Sequence, residues 1–489
     1  MIDWDNLLSG SDIRGIALGD NCNLTNEVIK CISIAFASFI EKKKGIIIKD
    51  QIIAVGHDSR ISSPRLADIF INGLVSVGAH VYNCGLCSTP AMSMAPKILS
   101  CTSSVEITAS HHPKEFNGFK FFTINGGLKS LDIIDILSIA RKSYFPKSDS
   151  VGTVRNVNLM QKYTGILKNI IKKELDFSSP LSGIHVVVDA SNGAGGFFAN
   201  DVLKPLGADI SGSDLLNPDG NFSTHSPNPE KQDSINHIQK ITLDNNADLG
   251  IIFDADVDRC FFVDNEGIPI TKNRLIALVS KMVISEHPNS VIVTDSVTSD
   301  NLKHFIEKIG GHQFRERRGY QNVISSAKDL NLESKICFLA IETSGHAAFE
   351  ENEFKDDGAY LAVKMIINMV KLKKQGKKLS EEICDFKDSV ESKEIRFDMD
   401  DEEQINGFLD TIKEECPKMP GCSLDEDTPE GVRLNFDIFE GKNNYKGWCI
   451  FRQSAHDLSV VLNIESDTEG GIEKILQNIL SIDVDKQNM

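Results

Sequence analysis

One block recurs along most of this chain and constrains its fold more than any other feature. It is a short apolar run, then a loop rich in Gly, Asp, Ser or Asn, then a helical pattern. Ile52–Gly56 leads into His57-Asp-Ser-Arg60 and a helical stretch from Pro64 to about Val77, and Ala79–Asn83 follows as a short strand. Ser104–Thr108 runs into a Ser-His-His loop, and His185–Asp189 ends in Ala190-Ser-Asn-Gly-Ala-Gly-Gly196 ahead of a helix near Phe197. Leu249–Phe253 ends in three alternating aspartates, and Ser290–Thr294 ends in Asp295-Ser-Val-Thr-Ser299 before another helix. Strands alternating with helices must form α/β layers, in which ligands gather beyond the carboxyl ends of the strands. The polar clusters fall at those ends.

The C-terminal part follows another pattern. Lys393–Asp398, Val432–Phe436, Gly447–Phe451 and Ser459–Ile464 are predicted strands, with helices over Glu402–Glu415 and Gly471–Leu480, an order that suits an antiparallel α+β module. Lys371–Lys378 is expected to be a solvated helix end and turn. A chain of 489 residues is too long for one core. The expected division is three α/β domains with mixed sheets, over 1–152, 153–267 and 268–385, and an α+β domain over 386–489.

Composition narrows the classes of function. Hydrophobic content of 41% and charged content of 25% describe a globular protein, and the apolar runs are too short to span a bilayer. A net charge of −18 argues against binding polyanionic nucleic acid or a membrane surface. The opening Met-Ile-Asp-Trp-Asp lacks the pattern of a secretory signal, and eleven scattered cysteines fit a reducing compartment, so a cytoplasmic location is expected. Cys84-Gly-Leu-Cys87 has redox or zinc spacing but no second pair to complete a site, so a structural role is expected.

The chemistry concentrates in a few segments. Thr108-Ala-Ser-His-His-Pro113 is expected to place the Ser110 hydroxyl exposed on a loop, where it would carry a phosphoryl group with His111 and Lys120 to neutralise charge or move protons. Asp254, Asp256 and Asp258 alternate after an apolar strand. In extended backbone they would share one face, and hard carboxylate oxygens suit Mg²⁺, Mn²⁺ or Ca²⁺. An EF-hand is excluded by Arg259 and Asn265 where that loop needs Gly and Glu. A haloacid-dehalogenase-type phosphatase is a rival, with Asp254-Ala-Asp256 and Asp356-Asp357 as its acidic groups, but it leaves Ser110 and Asp258 without a role. In Ile341-Glu-Thr-Ser-Gly-His346, Glu342 and Ser344 suit vicinal sugar hydroxyls and His346 suits proton exchange. Arg452-Gln-Ser-Ala-His456 and the arginines 315, 317 and 318 offer cations for phosphate oxygens.

Taken in order, these segments resemble the α-D-phosphohexomutase superfamily. The resemblance rests on Ser11-Asp-Ile-Arg-Gly15, Thr108–Pro113, Val187–Gly196, Asn217-Pro-Asp-Gly-Asn-Phe222 with Pro227–Glu230, Asp254–Arg259, Glu342–His346 and Arg452–Ser454. It implies four domains around a cleft, the last of them like the TATA-binding protein. It also implies interconversion of hexose 1- and 6-phosphates through a phosphoserine at Ser110, primed by a hexose 1,6-bisphosphate. By the same resemblance Ser110, Asp254, Asp256 and Asp258 hold Mg²⁺. Arg14, Lys120 and His346 serve the transfer and Glu342, Ser344, Arg452 and Ser454 grip the substrate; His111 and Arg259 are read as further transfer groups, and His456 as the replacement for the threonine that the family has there. Glucose and mannose phosphates are the expected partners, and the protein is expected to be a monomer or homodimer. The chain departs from the family pattern at His112, Ala255, Ile341 and Ala455-His-Asp457, and it lacks a lysine near Arg318-Gly-Tyr-Gln321. A sugar-phosphate-binding paralogue without turnover is the non-enzymatic alternative.

Overall fold

The computed structural model describes residues 3–142, 151–175, 178–333, 336–454 and 458–480. The chain divides into two compact units, one of residues 1–271 and 344–380, the other of 272–343 and 381–489.

The first unit contains two sheets. The larger has strands β1 (Leu8–Ser9), β2 (Asp12–Ile16), β3 (Ile52–His57), β4 (His80–Leu86), β5 (Ser103–Ile107), β6 (Phe116–Thr123), β7 (Gly126–Gly127) and β8 (Val154–Asn156), in the order β1-β2-β6-β5-β3-β4-β8 with β7 beside β6. β5, β3, β4 and β8 run parallel, and β6, β2 and β1 add antiparallel strands. The chain leaves β3 for β4 on one side and returns to β5 on the other. The loops after β3 and β5 therefore open beside each other at a switch point, where such sheets bind ligands. Helix Asn26–Lys44 covers this sheet. It starts at Thr25, whose hydroxyl accepts the Val28 N–H, and ends at left-handed Gly45 after three lysines that complement the helix dipole.

The second sheet joins β9 (Val186–Asp189), β10 (Leu249–Phe253), β11 (Cys260–Asp264) and β12 (Pro269–Ile270) in the order β12-β11-β10-β9. β9 and β10 are parallel and wholly buried, so the apolar runs that predicted them show no alternation. The helix predicted near Phe197 is instead a π-helical stretch, Phe198–Leu203, closed by a 3₁₀ turn over Lys204–Leu206. Pro205 supplies no N–H to continue it. The first unit also holds the hairpin Ala347–Phe349 with Lys355–Asp356 and the helix Gly358–Lys374.

In the second unit, β13 (Val291–Asp295) lies between β14 (His312–Glu316) and β15 (Cys337–Ile341), all parallel. A separate antiparallel sheet orders Glu391–Asp398, Ser459–Ser466, Asn443–Gln453, Val432–Glu440 and Cys422–Asp425. Helices Glu402–Glu415 and Gly471–Leu480 bury Ile405, Phe408, Ile412, Ile475 and Ile479 in its core. Among the described residues no helix is long and apolar enough to cross a membrane.

Candidate active site

The Ser110 loop leaves β5 in an unusual backbone state. Ser110 has φ 50°, a left-handed conformation that a Cβ-bearing residue adopts only when its surroundings impose it. Two devices impose it here. The Ser110 N–H donates to the Thr108 hydroxyl at 2.8 Å, and that hydroxyl donates to Asp58 at 2.8 Å. Arg60, fully buried, donates to the carbonyls of Ser110, His112 (2.7 Å), Pro113 (2.7 Å) and Phe116 (3.2 Å), while its Nε donates to Asp58 at 3.1 Å. The loop after β3 thus holds the loop after β5 in shape. Sequence reasoning missed Arg60, although Asp58-Ser-Arg60 at a strand's carboxyl end was a visible signal.

Arg60→Met should leave the buried Ser110 carbonyl, three part-buried carbonyls and the buried Asp58 without their cation. The expected loss of stability is about 3–5 kcal/mol in denaturant unfolding. A loss below about 1 kcal/mol, the scale of one ordinary hydrogen bond, would show that the loop holds its own shape.

The aspartates converge, but not through the extended backbone expected of them. Residues 254–258 form a turn in which Val257, a β-branched residue, takes φ 70°. The turn is enclosed by close backbone approaches. A Cβ on Gly193 would meet Ala255 at 2.5 Å, and one on Gly358 would meet the Val257 carbonyl at 2.8 Å. The outcome is as predicted, with oxygens of Asp254, Asp256 and Asp258 all within 4.8 Å of one another and all three side chains buried.

The Ser110 hydroxyl donates to Asp254 Oδ2 at 3.0 Å, and the His111 ring Nδ1 lies 3.3 Å from it. Lys120 Nζ bridges Asp256 (3.0 Å) and Asp258. Thr89 donates to Asp256 at 2.6 Å. Arg259 Nε donates to Asp254 at 3.1 Å and its Nη1 to Glu230 at 3.3 Å. Arg14 donates to Asp12 at 3.0 Å and keeps a buried Nε without an acceptor. Asp256 Oδ1 and Asp258 Oδ1 are buried and accept no hydrogen bond. Oxygen-only donors with unused lone pairs fit a hard dication such as Mg²⁺.

The two histidines of this region are driven apart in charge. Burial pushes the His111 pKa well below the usual range, and the Arg259 and Arg14 charges add to that, so the ring is neutral. Burial also opposes charge on His346, but Asp356, 2.5 Å from its Nδ1, and Asp258 outweigh it and lift its pKa to about 9. A pair of proton carriers separated in this way is suited to acid and base roles at neutral pH.

A raised folded-state pKa contributes stability that is fully present below the unfolded value near 6.5 and is lost as pH rises toward about 9. Chelated wild type and chelated His346→Gln should therefore differ most near pH 6. The gap should narrow by on the order of 3 kcal/mol by about pH 9 when unfolding is followed across that range. A gap independent of pH would remove the His346–Asp356 pair from the account.

The rival phosphatase needs Asp356 and Asp357 as its downstream acidic pair. Asp356 pairs with His346 instead, and Asp357 caps helix Gly358–Lys374 by accepting the Tyr360 N–H and also accepts the Tyr163 hydroxyl at 2.7 Å. Ser344 and His346 belong to the first unit and Glu342 to the second. There Glu342 accepts the Gly319 N–H at 2.6 Å. Arg452 is buried, which lowers its pKa, with the Arg318 charge acting in the same direction. Glu430 accepts the Arg318 N–H at 2.9 Å, and Ser454 donates its N–H to Ser459 at 2.9 Å. Arg452 Nε is buried without an acceptor, a donor that an anionic oxygen would satisfy. His456 lies outside the described residues.

Three family models match the chain. They are the α/β/α domains I, II and III of phosphoglucomutase/phosphomannomutase, over residues 5–144, 161–267 and 271–388. A phosphomannomutase/phosphoglucomutase of Pseudomonas aeruginosa is 29% identical over 466 residues, 95% of this chain and 92% of the relative. A phosphoglucomutase/phosphomannomutase of Thermococcus kodakarensis is 28% identical over 473 residues, 95% of each chain. The crystal structure of a phosphoglucomutase/phosphomannomutase family protein from Burkholderia thailandensis shares the fold at a TM-score of 0.82 and 23% identity, covering 98% of this chain and 97% of that one.

Proposed function

We propose, from the premise that this chain belongs to the phosphoglucomutase/phosphomannomutase family, that it interconverts hexose 1-phosphate and hexose 6-phosphate, with Ser110 as the phosphoryl carrier. The observation that carries this reading is the hydroxyl of Ser110, held 3.0 Å from Asp254 Oδ2 by a loop whose backbone is fixed elsewhere.

In the forward half-reaction the bond from phosphorus to the Ser110 oxygen breaks and the free sugar hydroxyl bonds to phosphorus, while the proton of that hydroxyl ends on the Ser110 oxygen, giving the hexose bisphosphate and a free serine hydroxyl. In the second half-reaction the Ser110 oxygen takes the other phosphoryl group and its proton leaves. Neutral His111, next to that oxygen, is the acceptor for this proton. His346, cationic at neutral pH, is placed to give a proton to the sugar oxygen that leaves in the second half-reaction. Lys120, Arg14 and Arg259 offset charge on the moving group. The three aspartates with a Ser110 phosphate oxygen would hold Mg²⁺, which supplies charge neutralisation at the phosphoryl oxygens. Glu342 and Ser344 are assigned to sugar hydroxyls. Arg452 and Ser454 are assigned to the phosphate that stays in place, and Arg318 joins them. A hexose 1,6-bisphosphate would restore phosphoserine lost to hydrolysis.

A coupled assay across glucose, mannose and N-acetylglucosamine phosphates, with and without the matching bisphosphate, tests this reading. Turnover of glucose or mannose phosphates that rises with bisphosphate is the expected result. Binding of these sugar phosphates with no turnover under any condition would favour the binding paralogue.

A further inference from the structure

A second cluster lies in the first unit, on residues to which the reaction above gives no role. Asp189 ends β9, fully buried, and its Oδ2 lies 2.8 Å from His225 Nε2 and 2.8 Å from His237 Nδ1. The three donor atoms lie within 4.8 Å of one another, and the ring centroids of the histidines are 5.1 Å apart. The far side of each ring is also committed. His225 Nδ1 faces the Ser226 carbonyl at 2.8 Å, with the Ser234 hydroxyl at 3.2 Å, and His237 Nε2 faces Asp214 at 3.2 Å.

A neutral imidazole has one N–H. Once the outer nitrogens donate to Ser226 and Asp214, the inner nitrogens present lone pairs to the same carboxylate oxygen. Three lone-pair donors then point inward with nothing between them to attract. Either two extra protons or one cation must resolve this. Outer nitrogens held by a backbone carbonyl and a carboxylate are the arrangement that orients histidines bound to a metal.

We propose that Asp189, His225 and His237 bind one transition-metal dication of the Zn²⁺, Co²⁺ or Ni²⁺ class, at a site separate from the three-aspartate turn. Imidazole nitrogen suits these ions and not Mg²⁺. Ligand bonds of about 2.0–2.1 Å place donors at right angles about 3 Å apart, so the observed 2.8 Å separations need only a small expansion. Protons compete for the same lone pairs. Burial works most strongly against charge on His225, but the hydrogen bond and charge of Asp189, with the Ser226 carbonyl and the Asp233 charge, together raise its pKa, and the Asp189 hydrogen bond raises that of His237.

The site would tie the end of β9 to the loop carrying His225 and to the helix Gln232–Asp244 that follows it, 36 and 48 residues further along the chain at the two histidines. The end of β9 supports the aspartate turn, because Ser191 donates to the Phe253 carbonyl at 2.7 Å and the Ala194 N–H to Ala255 at 2.8 Å. The role assigned to the metal is therefore to brace the turn, not to react.

Equilibrium dialysis of the full chain against Co²⁺ under excess Mg²⁺, with visible absorption recorded, tests the proposal. One Co²⁺ per chain with a nitrogen-ligand spectrum is expected, with a higher melting temperature than under Mg²⁺ alone. His237→Gln, partly exposed, should weaken Co²⁺ binding at least tenfold and leave mutase turnover under Mg²⁺ unchanged. Asp214→Asn alters only the outer partner and leaves the core untouched, and it should weaken binding about tenfold. No Co²⁺ uptake under Mg²⁺ would overturn the proposal, as would Co²⁺ affinity that both variants retain.

Discussion

Ser110→Ala is expected to lower mutase turnover by on the order of 10³ or more, because it removes the atom that carries the phosphoryl group between the two half-reactions. Weakened binding alone would raise KM and spare kcat, whereas loss of the carrier lowers kcat at every substrate concentration. The substitution keeps a Cβ at a left-handed position, and the Thr108 and Arg60 contacts to the backbone survive it. Folding should therefore change little, and unfolding curves of the two proteins check this. A kcat within tenfold of wild type would exclude Ser110 as carrier.

Metal removal should have an effect of similar size. Exhaustive chelation is expected to lower turnover by about 10²–10³, the range that several kcal/mol of charge stabilisation represents, and added Mg²⁺ should restore it. Asp258→Asn should reproduce the loss without rescue. It removes one of two carboxylates that hold the buried Lys120 and one of the oxygens that accept no hydrogen bond. Wild-type rates in chelator, measured with the metal content of the protein, would refute the assignment.

Much of this architecture was legible because buried parallel strands leave a continuous apolar signature. Leu249–Phe253 and the helices Glu402–Glu415 and Gly471–Leu480 match their predicted limits. Strands with weaker local signals were not read, such as Cys422–Asp425 at a sheet edge and β6, whose Asn117-Gly-Phe-Lys120 was read as chemistry alone. The candidate site residues of the first unit were singled out from their order along the chain, and the structure brings Ser110, His111, Lys120, Arg259, His346 and the three aspartates together. The means of bringing them together was not legible. Arg60 grips a loop some fifty residues later, and a left-handed Val257 makes the aspartates converge, so both depend on packing that no local pattern encodes. The same holds for His237, whose pairing with Asp189 spans two elements.

Phosphate mapping on the protein itself tests the central claim most directly. Protein incubated with a hexose 1,6-bisphosphate bearing isotopically labelled phosphate, then digested and analysed by peptide mass spectrometry, should carry the label on Ser110. The label should leave on addition of unlabelled hexose monophosphate and appear in bisphosphate. Label on Asp254, or none on the protein while turnover proceeds, would contradict it.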